Sequence, residues 1–228
     1  MRKNIIQVGH KAKDGRTYID DDWFSKGVPD NVKIAKHVYL DTSYGFAAFH
    51  SLLPDAMTIG EGSGCYDRAS FIVGKKGKVE IGEFNILNGS TFICNESIKV
   101  GSHCMFAWGS VITDSWIYDQ NLNIEQRKKI LYSTSKGQLR LLPLDIESNP
   151  VVIGDNVWVG FDAVILPGVK LGRGCIVGSK SVIAENIPAY AIVAGNPSRI
   201  IRYMDADDTE EARVQAMNKY LSPAHTMK

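Results

Sequence analysis

The chain has 228 residues, 44% hydrophobic and 22% charged, the composition of a folded globular protein long enough to bury a substantial core. Its 26 Lys+Arg and 25 Asp+Glu leave a net charge of +1, which excludes the basic footprint of a nucleic-acid or anionic-membrane binder. Glycine is in excess, 21 residues against about 16 in an average chain of this size.

Residues 1–33 carry no repeat and read as an N-terminal extension. Met1 to Lys13 is polar, without the apolar stretch of a signal peptide, and no run reaches the length of a membrane span. From Ile34 a period appears. Ile34, Leu40 and Phe46 are spaced by six, as are Ile59, Cys65 and Phe71, then Ile81, Leu87 and Ile93, then Val100, Phe106 and Ile112. After a gap the period returns without a miss at Ile153, Val159, Ile165, Leu171, Val177 and Ile183. A small or apolar residue stands two positions before each of the last six (Val151, Val157, Ala163, Val169, Cys175, Ser181), which is strand periodicity. Gly60, Gly82, Gly101, Gly154, Gly160, Gly172 and Gly178 follow the aliphatic residue, where a bend needs unusual dihedrals or close approach. Short strands and bends every six residues make a coil of stacked rungs, the parallel β-helix. Three hexapeptides per turn predict six rungs over 34–202.

Between Asp114 and Pro150 the period is lost, so 114–150 is predicted to be an inserted loop, functional or disordered, with a short helix over Asn123–Tyr132. After Arg202 the acidic start of DADDTEEARVQAMNKYL and Pro223 beyond it predict a C-terminal helix within 203–228. Cys65, Cys94, Cys104 and Cys175 lack metal or disulfide spacing and read as free core thiols of a cytoplasmic protein. His10, His37, His50, His103 and His225 are isolated, so no metal site is expected.

The stretch VVIGDNVWVGFDAVILPGVKLGRGCIVGSKSVIAENIPAYAIVAGNPSRIIR, Val151 to Arg202, resembles the hexapeptide-repeat acyltransferases. Within them it resembles the galactoside, maltose and polysaccharide O-acetyltransferases. The resemblance implies an all-β fold, a left-handed parallel β-helix. It also implies a homotrimer with sites between subunits, acetyl-coenzyme A as donor, and a sugar or polysaccharide hydroxyl as acceptor. On the family pattern, Gly160, Ser179, Lys180, Ala194, Arg199 and Arg202 meet the coenzyme. Asn88 and Trp158 line the acceptor site. Glu185 departs from the pattern, standing where a lysine is usual.

Acyl transfer to a hydroxyl needs a base near the hydroxyl proton. In the family this is a histidine a few residues past an aspartate. Here Asp114 matches the aspartate and Tyr118 stands at the histidine position. The catalytic candidates are therefore Asp114 and Tyr118, with a histidine from a neighbouring subunit as a further possibility. The alternative is a catalytically degenerate homologue acting as a binding or assembly scaffold.

Overall fold

The computed structural model describes residues 16–116, 123–136 and 147–204, together with 211 and 215. The chain winds through three sheets in rotation. The first sheet takes Val32–Ile34, Met57–Ile59, Lys78–Ile81, Ser97–Val100, Val151–Ile153 and Lys170–Leu171. The second takes Tyr39–Leu40, Gly64–Tyr66, Ile86–Asn88, Met105–Phe106, Trp158–Val159 and Ile176–Val177, and ends on the hairpin Ala191–Gly195 and Ser198–Tyr203. The third takes Ser70–Val73, Thr91–Cys94, Val111–Thr113, Val164–Ile165 and Val182–Ile183. Every pairing between these strands is parallel except that hairpin, which is antiparallel. The result is a parallel β-solenoid of six turns, and its hexapeptide repeat fits the left-handed coil expected.

The periodic residues form the core because each rung turns the same position inward. Leu40, Cys65, Leu87, Phe106, Val159, Val177 and Val193 are all buried in the second sheet's column. Each buried aliphatic side chain contributes about 1.5–3 kcal/mol. One expectation is corrected. In the third sheet Phe92 is buried and Ile93 is not, because Phe92 is in register with both Phe71 and Ile112. Five residues, not six, separate Leu87 from Phe92, so the period slips once there. Phe46 enters the core from a 3-10 helix, Ser43–Phe46, rather than a strand. Its ring begins an aromatic ladder that runs to Phe71 and Phe92 at 5.4 Å steps.

The glycines that follow the aliphatic residues are needed for close approach. A Cβ on Gly60 would lie 2.5 Å from the Gly82 carbonyl carbon, and one on Gly82 would lie 2.6 Å from the Gly101 oxygen. The left-handed dihedrals fall on later turn residues, among them Phe84, His103 and Asn156.

All four cysteines are free and buried. Burial pushes the thiols of Cys65 and Cys175 up to about 12 and that of Cys104 to about 11. They stay protonated and act as packing.

Residues 16–31 close onto the first rung through Asp22. Its carboxylate accepts hydrogen bonds from Thr42 Oγ1 at 2.7 Å, from Ser43 Oγ, and from the Phe24, Ser25 and Ser43 amides. Burial raises the Asp22 pKa, but the bonds from Ser43, Thr42 and Phe24 outweigh it and hold the group below its ordinary value. A carboxylate so held binds fewer protons folded than unfolded in acid, so it adds stability above its unfolded pKa near 3.9. That stability is lost as pH falls through the lower folded value. Asp22→Asn is expected to cost about 1–3 kcal/mol at pH 7 and much less at pH 2, as read by urea midpoints. An equal loss at both pH values would contradict the ionised role.

The inserted segment leaves and returns through a narrow neck, where Ser115 and Ser148 pair in an antiparallel bridge. Its helix spans Ile124–Ser135, longer at its C-terminal end than the sequence suggested. Asn123 caps it: the Asn123 side chain accepts from the Gln126 amide at 2.9 Å, and Gln126 returns the bond at 2.8 Å. Of the expected C-terminal helix, Glu211 and Gln215 are helical and the rest lies outside the described residues.

Candidate functional site

A ladder of small residues runs up the edge of the second sheet. Phe106, Val159, Val177 and Val193 are in register. The residues that follow them are Ala107, Gly160, Gly178 and Ala194. A Cβ on Gly160 would stand 2.6 Å from the Ser179 amide, and one on Gly178 would stand 2.9 Å from Ala194 Cβ. The ladder is tight enough for a narrow chain to lie against backbone. Gly178 and Ala194 are partly open, whereas Ala107 and Gly160 are buried. The ladder is therefore more open at its last rungs and more enclosed towards the middle of the coil. There the residues at the same place are Asn88 and Tyr66, which are in register with each other.

Two ridges flank the ladder. On the sheet side, Met105, Trp158, Ile176 and Ile192 point outward in register. On the corner side, Trp108 stacks on Phe161 with ring centroids 5.7 Å apart and planes 12° apart. Trp108 also donates its Nε1–H to Asp67 Oδ2 at 2.7 Å.

The open end of the ladder is basic. Arg199 pairs with Ala194 and Arg202 with Ile192 across the final hairpin, and residues directly opposite on adjacent strands share a face. Both guanidinium groups are thus on the ladder's face and exposed. Arg202 donates to the Tyr203 carbonyl at 3.2 Å. Lys180 stands at the same corner, its Nζ 3.0 Å from Asp162 Oδ2.

The structure thus brings Asn88, Trp158, Gly160, Ser179, Lys180, Ala194, Arg199 and Arg202 to one edge of the coil. It places Asp114 elsewhere, after the third sheet's strand Val111–Thr113. Asp114 is fully buried. Its Oδ1 accepts from the Asn95 amide at 2.8 Å, and its Oδ2 from the Glu96 and Ser97 amides at 2.8 Å each. Cys94 Sγ donates to Oδ2 as well. A carboxylate committed to three backbone N–H groups holds a turn together and has little capacity left to receive a substrate proton. Tyr118 lies outside the described residues. His37 and His103 occupy turns between the first and second sheets, and His50 follows the first rung near Phe49, so no described histidine lies at the ladder's edge.

Sequence reasoning missed the Asp67–Trp108–Phe161 arrangement. Its signal is in the repeat: Trp108 follows Ala107 as Phe161 follows Gly160, so the two rings occupy one position on adjacent rungs.

Comparison with known proteins agrees with the repeat. Residues 150–185 match the family model described as "Bacterial transferase hexapeptide (six repeats)". The chain is 42% identical to a chloramphenicol acetyltransferase of Klebsiella aerogenes over 57 residues, 25% of this chain and 27% of that protein. It is 40% identical to a 2,3,4,5-tetrahydropyridine-2,6-dicarboxylate N-acetyltransferase of Staphylococcus aureus over 73 residues, 32% of this chain and 30% of that protein. The matched stretch thus spans less than a third of either relative.

Among solved structures, the chain resembles a hexapeptide-repeat acetyltransferase of Vibrio cholerae complexed with acetyl coenzyme A. The TM-score is 0.51 at 22% identity, covering 66% of this chain and 72% of that one. It also resembles AntD, an N-acyltransferase of Bacillus cereus in complex with dTDP and 3-hydroxybutyryl-CoA. There the TM-score is 0.53 at 19% identity, covering 82% of this chain and 89% of that one. The resemblance to hexapeptide-repeat acyltransferases is borne out, and these distant structures share the fold.

Proposed function

We propose that the protein is an acyl-CoA-dependent acyltransferase, with acetyl-coenzyme A as donor and a sugar or polysaccharide hydroxyl as acceptor. The observation that carries this reading is the ladder Ala107–Gly160–Gly178–Ala194 ending beside Arg199 and Arg202. The arginines suit the phosphates of the coenzyme. The ladder suits its thin arm, which needs backbone partners and no side chains in the way. Lys180, already paired with Asp162, adds less charge than the sequence promised.

The bound coenzyme would supply an activated thioester. The acceptor hydroxyl would attack the thioester carbonyl, forming a C–O bond as the C–S bond breaks, and a base would carry the hydroxyl proton to the departing coenzyme thiolate, which leaves as the thiol. Tyr118 is the residue at the base position. Asp114 fits a supporting role, bracing the turn Asn95–Ser97 beside the neck of the insert.

Asp114 and the ladder lie at different corners of the triangular coil, so one chain does not bring Asp114 to the donor ladder. A neighbouring copy would complete the site, which supports a homotrimer with sites between subunits. The outward row Tyr39, Ile86, Met105 and Trp158 gives the second sheet an exposed apolar face suited to subunit packing. The four reduced thiols support a cytoplasmic location.

One observation favours the second reading, a catalytically silent scaffold: the described base candidates are either committed or distant. Calorimetric titration separates the readings. Coenzyme A is expected to bind at sub-millimolar concentration, and the absence of binding at millimolar concentration would remove the enzyme reading. With binding established, thiol release from acetyl-CoA in the presence of galactoside should rise in Tyr118→His. No rise would show that residue 118 is not at the base position.

A further inference from the structure

Trp108 and Phe161 combine exposure with immobility. Their exposures are 46% and 48%, yet Trp108 is held on three sides. Asp67 takes its N–H at 2.7 Å. Phe161 covers part of one face. Gly89 makes room below, where a Cβ would stand 2.9 Å from Trp108 Cδ1. Centroids 5.7 Å apart with nearly parallel planes describe an offset stack, so each ring keeps part of a face uncovered. A packing tryptophan would bury those faces. Holding an indole rigid while leaving it wet gains little apolar burial, and it is the arrangement expected of a surface that receives a partner with an apolar face.

The position of the stack says which partner. It flanks the enclosed end of the ladder, at the rungs of Ala107 and Gly160. The arginines lie at the open end, three strands from the Gly160 rung and four from the Ala107 rung, about 14–19 Å at the ordinary strand spacing. A donor with its phosphates at the arginines would have its reacting end near the rings, where the acceptor must come. Asp67 Oδ1 has no hydrogen-bond partner among the described residues and stands beside the indole, available to accept from a hydroxyl at a ring's edge.

We infer that the Trp108–Phe161 stack, fixed by Asp67, is the acceptor shelf, and that it selects a ring with an apolar face and a hydroxyl at its edge over an open-chain polyol. Its placement as the acceptor side rests on the acyltransferase reading above. Two ring sources share this chemistry, a pyranose and a hydroxyl-bearing aryl group.

The test titrates the full-length protein with methyl β-D-galactopyranoside, 4-nitrophenyl β-D-galactopyranoside and D-sorbitol, and separately with coenzyme A. The rings are expected to bind at least fivefold more tightly than sorbitol. A preference for the nitrophenyl over the methyl glycoside assigns the shelf to the aryl ring, and equal binding assigns it to the pyranose. Trp108→Ala should weaken ring binding about 3- to 12-fold, with sorbitol and coenzyme A affinities within twofold of the parent. Asp67→Ala should do the same, whereas Asp67→Asn, which keeps an acceptor for the indole N–H and offers an amide N–H that the ring's hydroxyl can accept, should retain most of the ring binding. Unchanged ring affinity in Trp108→Ala, or no preference for rings over sorbitol, overturns the inference. Failure of coenzyme A to bind while ring preference persists would instead remove the acyltransferase reading and leave a ring-binding shelf.

Discussion

Phe92→Ala is expected to destabilise the protein by about 3–5 kcal/mol, whereas Ile93→Ala should cost roughly 1 kcal/mol or less. Phe92 is fully buried. Its ring lies 5.4 Å from Phe71 in a stacked arrangement and 5.5 Å from Phe106 edge to face. The solenoid core is only as wide as the side chains that meet from three sheets, so no second layer can collapse into the space left by a missing ring. Ile93 faces the other way and is only partly buried. Urea midpoints of the two variants measure the difference directly. A larger loss in Ile93→Ala would mean that the period does not slip after Leu87.

That slip shows where the sequence is a good guide to this fold and where it is not. From Ile153 to Ile183 every rung is built from hexapeptides, so inward residues can be counted off with no reference to neighbours. Between Leu87 and Phe92 the turn is one residue shorter. The local pattern Leu-Asn-Gly-Ser-Thr-Phe-Ile offers both Phe92 and Ile93 as apolar candidates. Only the pairing of Phe92 with Phe71 below and Ile112 above chooses between them, and pairing is information held by residues about twenty positions away. The candidate site divides the same way. Gly160 and Ser179 could be aligned by their spacing, because about one solenoid turn separates them, whereas Ala194 could be placed only through the family's closing loop. Asp114 could be matched to a motif, but its three amide partners could not be read from it. The contact of Trp108 with Phe161 crosses the whole inserted segment, which hides the fact that their rungs are adjacent.

Gly160→Val is expected to lower coenzyme A affinity on the order of 100-fold, and Gly154→Val supplies the control that gives this meaning. Both glycines follow an inward aliphatic residue, and both meet backbone in the next rung. A Cβ on Gly160 would lie 2.6 Å from the Ser179 amide, and one on Gly154 would lie 2.8 Å from the Arg173 amide. Each valine must force the rungs apart, at a cost of about 1–3 kcal/mol in stability. The two variants should therefore melt alike. They differ in where the bulk appears. Gly154 sits at the corner between the first and second sheets, away from the arginines. Gly160 sits in the floor of the ladder, between Gly178 and Ala107, so its added methyl groups and the displaced Ser179 backbone fall across the path of the coenzyme's arm. Loss of binding in Gly160→Val alone assigns the ladder to the donor. Equal loss in both would mean that the coil responds as a whole and that the ladder has no special relation to coenzyme A.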